Sequence, residues 1–156
     1  MNKTSLVEDI YTLSFRFSYP LDKVRKIIAS YFNYCKDQLK QGCEVNISNL
    51  CTIIPVNLKT RYSTTLAYDC LQIAKQTGVP YNTVFTIIDE YLTGVYDAML
   101  IENADINLRG LCTLRIVQDG ESGYTIHGHI SKALANEGIQ ARLRTNKYLV
   151  RQVRRY

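Results

Sequence analysis

The chain has 156 residues, a formal net charge of +5 and a hydrophobic content of 46%, which is typical of one globular domain with an ordinary core. No apolar run approaches the roughly 18 residues that a membrane-spanning helix needs. Residues 1–5 lead into Glu8 and Asp9 rather than into the apolar core of a signal peptide. We therefore expect a soluble protein that is not exported and has no membrane partner.

The cysteines indicate a reducing compartment. They are odd in number, widely spread and free of any CxxC pair. The five are Cys35, Cys43, Cys51, Cys70 and Cys112. Free thiols in a cytosolic setting are therefore the expected state.

Residues 1–58 are predicted to form a first structural unit. Apolar residues at helical spacing over 6–13 predict a short helix. After Pro20, which suits the start of a helix, apolar residues three and four positions apart predict a long helix that ends near Gly42. Alternating apolar and polar residues over 43–58 then predict a β-hairpin.

A short polar connector, residues 59–65, leads to a second unit that comprises residues 66–156. The same order returns there, with a short helix over 66–75, a long helix over 82–100 and a hairpin over 105–117. An internal repeat of this kind indicates two units that bury their apolar faces against each other.

The repeat is visible residue by residue. In the long helices, Pro20, Val24, Ile27, Ile28 and Tyr31 recur sixty positions later as Pro80, Val84, Ile87, Ile88 and Tyr91. In the hairpins, the match continues one position out of step, where residues 45–53 correspond to residues 106–114.

Beyond residue 117 the two units differ. Residues 118–138 hold four glycines and a strand-like stretch, and are predicted to form a β-arm. A last strand over 139–143 and a C-terminal helix over 146–155 follow. The first unit has no counterpart of the arm, the last strand or the final helix.

This succession of elements resembles the HU/IHF family of bacterial chromosome-architecture proteins, in which a long helix precedes a hairpin with a G-F-G-T-F turn. The corresponding turns are marked by Asn49, Leu50 and Cys51 in the first unit and by Arg109, Gly110, Leu111 and Cys112 in the second. The resemblance implies an α+β fold in which tandem HU/IHF-like units form a pseudo-dimer, with a β-arm and a C-terminal helix on the second unit only.

The arm departs from the family pattern. Family members bend DNA with cationic arms that carry a proline at the tip. Residues 118–138 contain no proline, and one lysine against three acidic residues leaves them with a net charge of −2. Such an arm gains little from phosphate contacts. The combination is similar to the HU/IHF-like neck and ring proteins of crAss-like tailed phages.

Basic residues are concentrated at the C-terminal end. No acidic residue follows Glu137, and a cationic segment of this kind favours a polyanion or an acidic protein surface as its partner. The alternative is a solvated helix face. The candidate contact residues are Arg142, Arg144, Lys147, Arg151, Arg154 and Arg155.

Enzymatic and metal chemistry find little support. His127 and His129 alternate on a predicted strand, so their side chains would share one face, but a closed zinc site needs four ligands and no others lie nearby. Cys51 and Cys112 occupy equivalent repeat positions and are expected to be buried apolar residues. No catalytic motif is present. We therefore expect no enzymatic activity, no metal and no cofactor.

The leading hypothesis is a non-catalytic structural protein of a phage virion, a ring or neck component of the head–tail connector. It would contact copies of itself and other virion proteins, and would be found in the host cytoplasm during assembly. The alternative is an architectural DNA-binding protein that uses the C-terminal basic segment. A third hypothesis is a regulator that pairs with an HU-like protein of the host.

Overall fold

The chain is an α+β protein. A computed structural model describes residues 18–48, 50–59, 65–119 and 123–145. Within these ranges the fold contains two three-stranded antiparallel sheets packed with helices. The predicted short helix over 6–13 and the predicted C-terminal helix over 146–155 lie outside the described residues.

The described elements follow one another in a repeated order, which for each unit is a long helix and then a hairpin. In chain order they are α1 (Leu21–Lys40), β1 (Val45–Ile47), β2 (Cys51–Pro55), α2 (Leu66–Thr77), α3 (Tyr81–Ile101), β3 (Ile106–Leu108), β4 (Cys112–Asp119), β5 (Gly123–Ile130), α4 (Lys132–Asn136) and β6 (Ala141–Thr145). The strand orders of the two sheets are β1-β2-β6 and β3-β4-β5.

The two long helices begin in the same way. Pro20 and Pro80 immediately precede α1 and α3, with φ angles of −57° and −55°. The fixed φ of proline suits this position, and its missing N–H removes no helical hydrogen bond there. Before α3, Gly78 ends α2 with a left-handed φ of 73° and donates its N–H to the Ala74 carbonyl at 2.9 Å.

The buried faces of α1 and α3 match in detail. Seven positions of each helix are no more than 3% exposed, and they recur at an offset of sixty residues. They are Val24, Ile27, Ile28, Tyr31, Phe32, Cys35 and Leu39 in α1, and Val84, Ile87, Ile88, Tyr91, Leu92, Val95 and Met99 in α3. The apolar stripe predicted for α1 is the stripe that is buried, because residues three or four apart share one helix face.

An aromatic cluster joins the two long helices in one core. The Phe32 ring meets the Tyr31 ring edge-on, with centroids 5.2 Å apart, and meets the Tyr91 ring in the same manner at 6.0 Å. Edge-to-face pairs of this kind add to the burial of apolar area. Neither long helix would keep its apolar face from water without the other.

The hairpins share one register at an offset of 61 residues. Val45 pairs with Ile53 and Ile106 pairs with Leu114. Both turns place a non-glycine residue at positive φ, Ser48 at 49° and Arg109 at 41°. The offset grows from 60 to 61 because α3 has 21 residues and α1 has 20.

The third strand of each sheet comes from the C-terminal part of the chain. β5 pairs with β4 over eight residues, from Cys112 with Ile130 to Asp119 with Gly123. β6 pairs instead with β2 of the first sheet, and Ile53 faces Leu143 there. The sequence pattern predicted that this last strand belongs to the second unit. It predicted no third strand for the first unit.

That assignment was wrong for a physical reason. The second edge of β4 is already occupied by β5, so a further strand has no hydrogen-bonding partner on that side. The corresponding edge of β2 is open to a strand that follows α4. The amide of Val56 extends this pairing by donating to the Gln140 carbonyl at 2.8 Å.

The predicted β-arm over 118–138 is divided among several elements. β4 and β5 pair with each other as far as Asp119 with Gly123. Ser131 then caps the short helix α4, with its hydroxyl accepting from the Ala133 N–H at 3.2 Å. Leu134 of α4 is fully buried. The apolar residues of this segment therefore fold into the body of the protein.

A glycine in β5 lies at a point of close packing. A Cβ atom on Gly128 would lie 2.4 Å from the Thr113 carbonyl oxygen and 3.1 Å from Cδ2 of Leu143 in β6. We predict that Gly128→Ala lowers the free energy of unfolding by about 1–3 kcal/mol because the backbone must shift. Urea denaturation measures this change. The control is Gly94→Ala in α3, where no atom lies within 4 Å and a gain of about 0.5–1 kcal/mol is expected.

Candidate interaction surface

Two arginines stand on one face of β6. Arg142 and Arg144 are exposed, and they alternate with the half-buried Ala141, Leu143 and Thr145. Successive side chains of a strand point to opposite faces, so both guanidinium groups lie on the outward face of the first sheet. On β2 their cross-strand neighbours are Ile54 and Thr52, respectively.

The second sheet carries a corresponding set of residues on its outward face. Arg115 of β4 pairs with His127 of β5, and Thr113 pairs with His129. Arg115 and both histidines are exposed. The Nε2 atom of His127 lies 3.0 Å from the Thr125 hydroxyl, which is two residues away on the same face.

The outward face of the first sheet is cationic on β6. Its outward strand positions are Asn46, Thr52, Ile54, Arg142 and Arg144. Thr52 and Ile54 are buried, so the exposed charge among these positions is that of the two arginines, which produces a positive potential that attracts anions. In the second sheet, Arg115 is the one arginine among the described outward positions, and Asp105, which forms a β-bridge directly before β3, continues the register of Ile106 with Leu114 and so faces Arg115.

The long helices carry opposite charge. α1 has five basic and two acidic residues, a net charge of +3, whereas α3 has three acidic residues and no lysine or arginine, a net charge of −3. In α1, Arg25 and Lys26 are exposed, and in α3, Asp89, Glu90 and Asp97 are partly exposed. The two equivalent helices therefore share a buried stripe but differ in their outer surfaces.

The structure separates the predicted contact residues. Arg142 and Arg144 share one face, whereas Lys147, Arg151, Arg154 and Arg155 lie outside the described residues, as does Asn49 of the first turn. Of the predicted turn residues, Arg109 is exposed, and Gly110 is partly exposed with a φ of 79°. The other four are at most 4% exposed, and they are Leu50, Cys51, Leu111 and Cys112. These turns therefore anchor the hairpins in the core.

The buried thiols are poor nucleophiles. Burial raises the pKa of Cys35 well above its ordinary value and that of Cys70 to about 12. A hydrogen bond to the Cys112 thiol, together with burial, raises the pKa of Cys51. A thiol reacts as its thiolate, so these side chains act as small apolar groups at neutral pH.

The described residues contain neither a membrane-spanning helix nor a cluster of metal ligands. No helix there is long and apolar enough to cross a membrane. His127 and His129 do share a face, but no group of three metal-ligating side chains occurs among the described residues. Both histidines lie on the outward face of the second sheet.

Two features of this surface were missed in the sequence. Arg115 alternates with the apolar residues Leu114 and Ile116, so the strand period alone would have placed it on the outward face. The charge contrast between α1 and α3 was also readable, because no lysine or arginine occurs between residues 81 and 108. Both are less conspicuous in the sequence than the run of basic residues after Glu137.

Comparisons with known proteins found no match, whether with family models, curated proteins or solved structures.

Proposed function

We propose that this protein is a non-catalytic scaffold in which two HU/IHF-like units form a pseudo-dimer within one polypeptide, and that it serves as a ring or neck subunit of a phage head–tail connector. The observation that carries the proposal is the common register of the two hairpins, Val45 with Ile53 and Ile106 with Leu114, each after a proline-initiated long helix. Two units with one internal geometry are what a pseudo-dimer requires.

Contacts between equivalent residues support a two-fold relation of the units. Cys51 and Cys112 occupy equivalent positions, and their thiols are near enough that Cys112 raises the pKa of Cys51. Gly128 and Leu143 are also equivalent, because they face Leu114 and Ile53 in their sheets, and they lie in close contact. A residue that touches its own counterpart lies near the axis that relates the two copies.

The assignment of the scaffold to a phage connector comes from the resemblance of the chain to HU/IHF-like neck proteins. The β4–β5 hairpin supports a role in protein contacts, since two paired strands of eight residues each have little length with which to encircle a duplex. Phage particles would be purified and analysed by mass spectrometry. The protein is expected in them at a fixed ratio to the portal protein, and its absence from intact particles would refute the proposal.

Architectural DNA binding is the second candidate, and the outward face of the first sheet favours it. Arg142 and Arg144 are exposed on the first sheet, and neither β6 nor its partner β2 contains an acidic residue. Each arginine that neutralises a phosphate releases condensed counterions, which makes binding fall with salt. This candidate would use the sheet surface rather than an arm.

We predict for this candidate that the protein binds a short DNA duplex in about 50 mM salt and loses affinity steeply by about 200 mM. Arg142→Gln with Arg144→Gln is expected to reduce the slope of log affinity against log salt by about 2. Fluorescence anisotropy measures both quantities. Lys75→Gln on α2 is the matched control and should leave the slope unchanged. A wild-type protein that does not bind in low salt eliminates DNA binding.

A further inference from the structure

The outer surfaces of α1 and α3 are opposite in charge. The helices have 20 and 21 residues, so each is about 30 Å long. Their buried stripes are equivalent, but Arg25 and Lys26 of α1 are exposed, whereas Asp89 of α3 is only partly exposed. One surface carries an excess of lysine and arginine, and the other carries only carboxylates among its charged groups.

From this contrast we infer that copies of the protein associate head to tail, with the outer surface of α1 in one copy against the outer surface of α3 in the next. The inference rests on the proposed ring function and identifies the surfaces that would join its subunits. Contact between unlike surfaces of identical chains is heterologous, so each copy keeps one open surface for a further copy.

The proposed two-fold relation explains why such a contact would propagate. A two-fold axis between the units turns the outer surfaces of α1 and α3 to opposite sides of the molecule. Because the axis relates the two surfaces, each surface makes the same angle with the axis. Successive copies are then inclined to one another, and a constant inclination closes a chain of subunits into a ring.

Like surfaces cannot substitute in this contact. Two α1 helices, each of net charge +3, would repel each other, although Lys36 and Lys40 of α1 already form ion pairs with Glu137, which follows α4, at 3.1 and 3.8 Å. Two α3 helices would each bring a net charge of −3. Juxtaposed like charges select against such pairings, and opposite charges speed the correct encounter. The asymmetry of charge therefore specifies a direction of assembly.

Lys26 and Asp89 are the residues best suited to a test. Lys26 is exposed and Asp89 is partly exposed. Arg25 and Glu90 already take part in contacts within the chain, and one oxygen of the Asp97 carboxylate is buried. Reversal of Lys26 or Asp89 changes the outer charge while leaving the apolar stripe intact.

The experiment measures self-association of the full chain by sedimentation velocity in low and high salt. Wild-type protein is expected to form oligomers that dissociate as salt rises. Lys26→Glu and Asp89→Lys, each alone, should weaken association by about tenfold. An equimolar mixture of the two variants should recover it, because every contact in an alternating assembly then pairs opposite charges. Lys75→Glu on α2 is the control for a charge reversal elsewhere.

The outcomes separate this inference from the proposed function. Oligomers that persist in both single variants, or a mixture that fails to recover association, would overturn the head-to-tail contact while leaving a ring subunit in place. Wild-type protein that stays monomeric at every salt and protein concentration would also overturn it. Assembly that requires added DNA would overturn it in favour of the DNA-binding alternative. Circular dichroism checks that each variant is folded.

Discussion

Phe32→Ala is expected to lower the free energy of unfolding by about 3–5 kcal/mol, a large fraction of the stability of a small domain. The Phe32 ring is 2% exposed and lies between the rings of Tyr31 and Tyr91. Its removal leaves a cavity between α1 and α3 and cancels two edge-to-face contacts. Urea denaturation followed by circular dichroism measures the loss.

The same measurement tests whether the two halves fold together. Because Phe32 belongs to α1 and Tyr91 to α3, we expect one cooperative transition in both wild-type and variant protein. Val56→Ala is the control, since Val56 is 63% exposed and should change stability by less than about 0.5 kcal/mol. A loss below about 1 kcal/mol for Phe32→Ala, or two separate transitions in the wild type, would contradict the common core.

Alkaline solution is expected to destabilise the protein strongly. Burial raises the pKa values of Tyr31 and Cys35, and the hydrogen bond to Cys112 together with burial raises that of Cys51. In the unfolded chain, thiols ordinarily lose their protons near pH 9.0 and phenols near pH 10.0. Above pH 9 the unfolded state therefore binds fewer protons than the folded state, so stability falls as pH rises.

The size of this effect follows from the number of groups. Each buried group contributes a loss of about 1.4 kcal/mol per pH unit above its unfolded pKa. We expect a total loss of at least about 3 kcal/mol between pH 8 and pH 10.5, most of it from Cys35 and Cys51. Urea denaturation in a phosphine reductant measures the unfolding free energy across this range.

Two cysteine variants make the alkaline test specific. Cys35→Ala removes a thiol that is 1% exposed, so the fall of stability with pH should become shallower even though the protein is less stable at pH 7. Cys43 is only partly buried, and Cys43→Ala is the control for loss of a thiol outside the core. Stability that stays constant up to pH 10.5 would show that these groups are not buried as described.

The sequence by itself determined the parts of the fold that depend on local spacing. Helical stripes such as Ile27, Ile28 and Tyr31 could be read because residues on one helix face recur every three or four positions. The register of the second hairpin followed from the first, since residues 106–114 repeat residues 45–53. Even the burial of Cys51 and Cys112 was predictable from their place in the repeat.

The tertiary structure alone decided how distant segments meet. The local pattern of residues 141–145 predicts a strand but carries no information on its partner, and β6 joins β2 because the comparable edge of β4 is taken by β5. That pairing brings Arg142 and Arg144 to the outward face of the first sheet, beside Thr52 and Ile54. Contacts between residues far apart in the chain depend on which edges and faces remain open after the local elements have formed, and spacing along the chain does not record this.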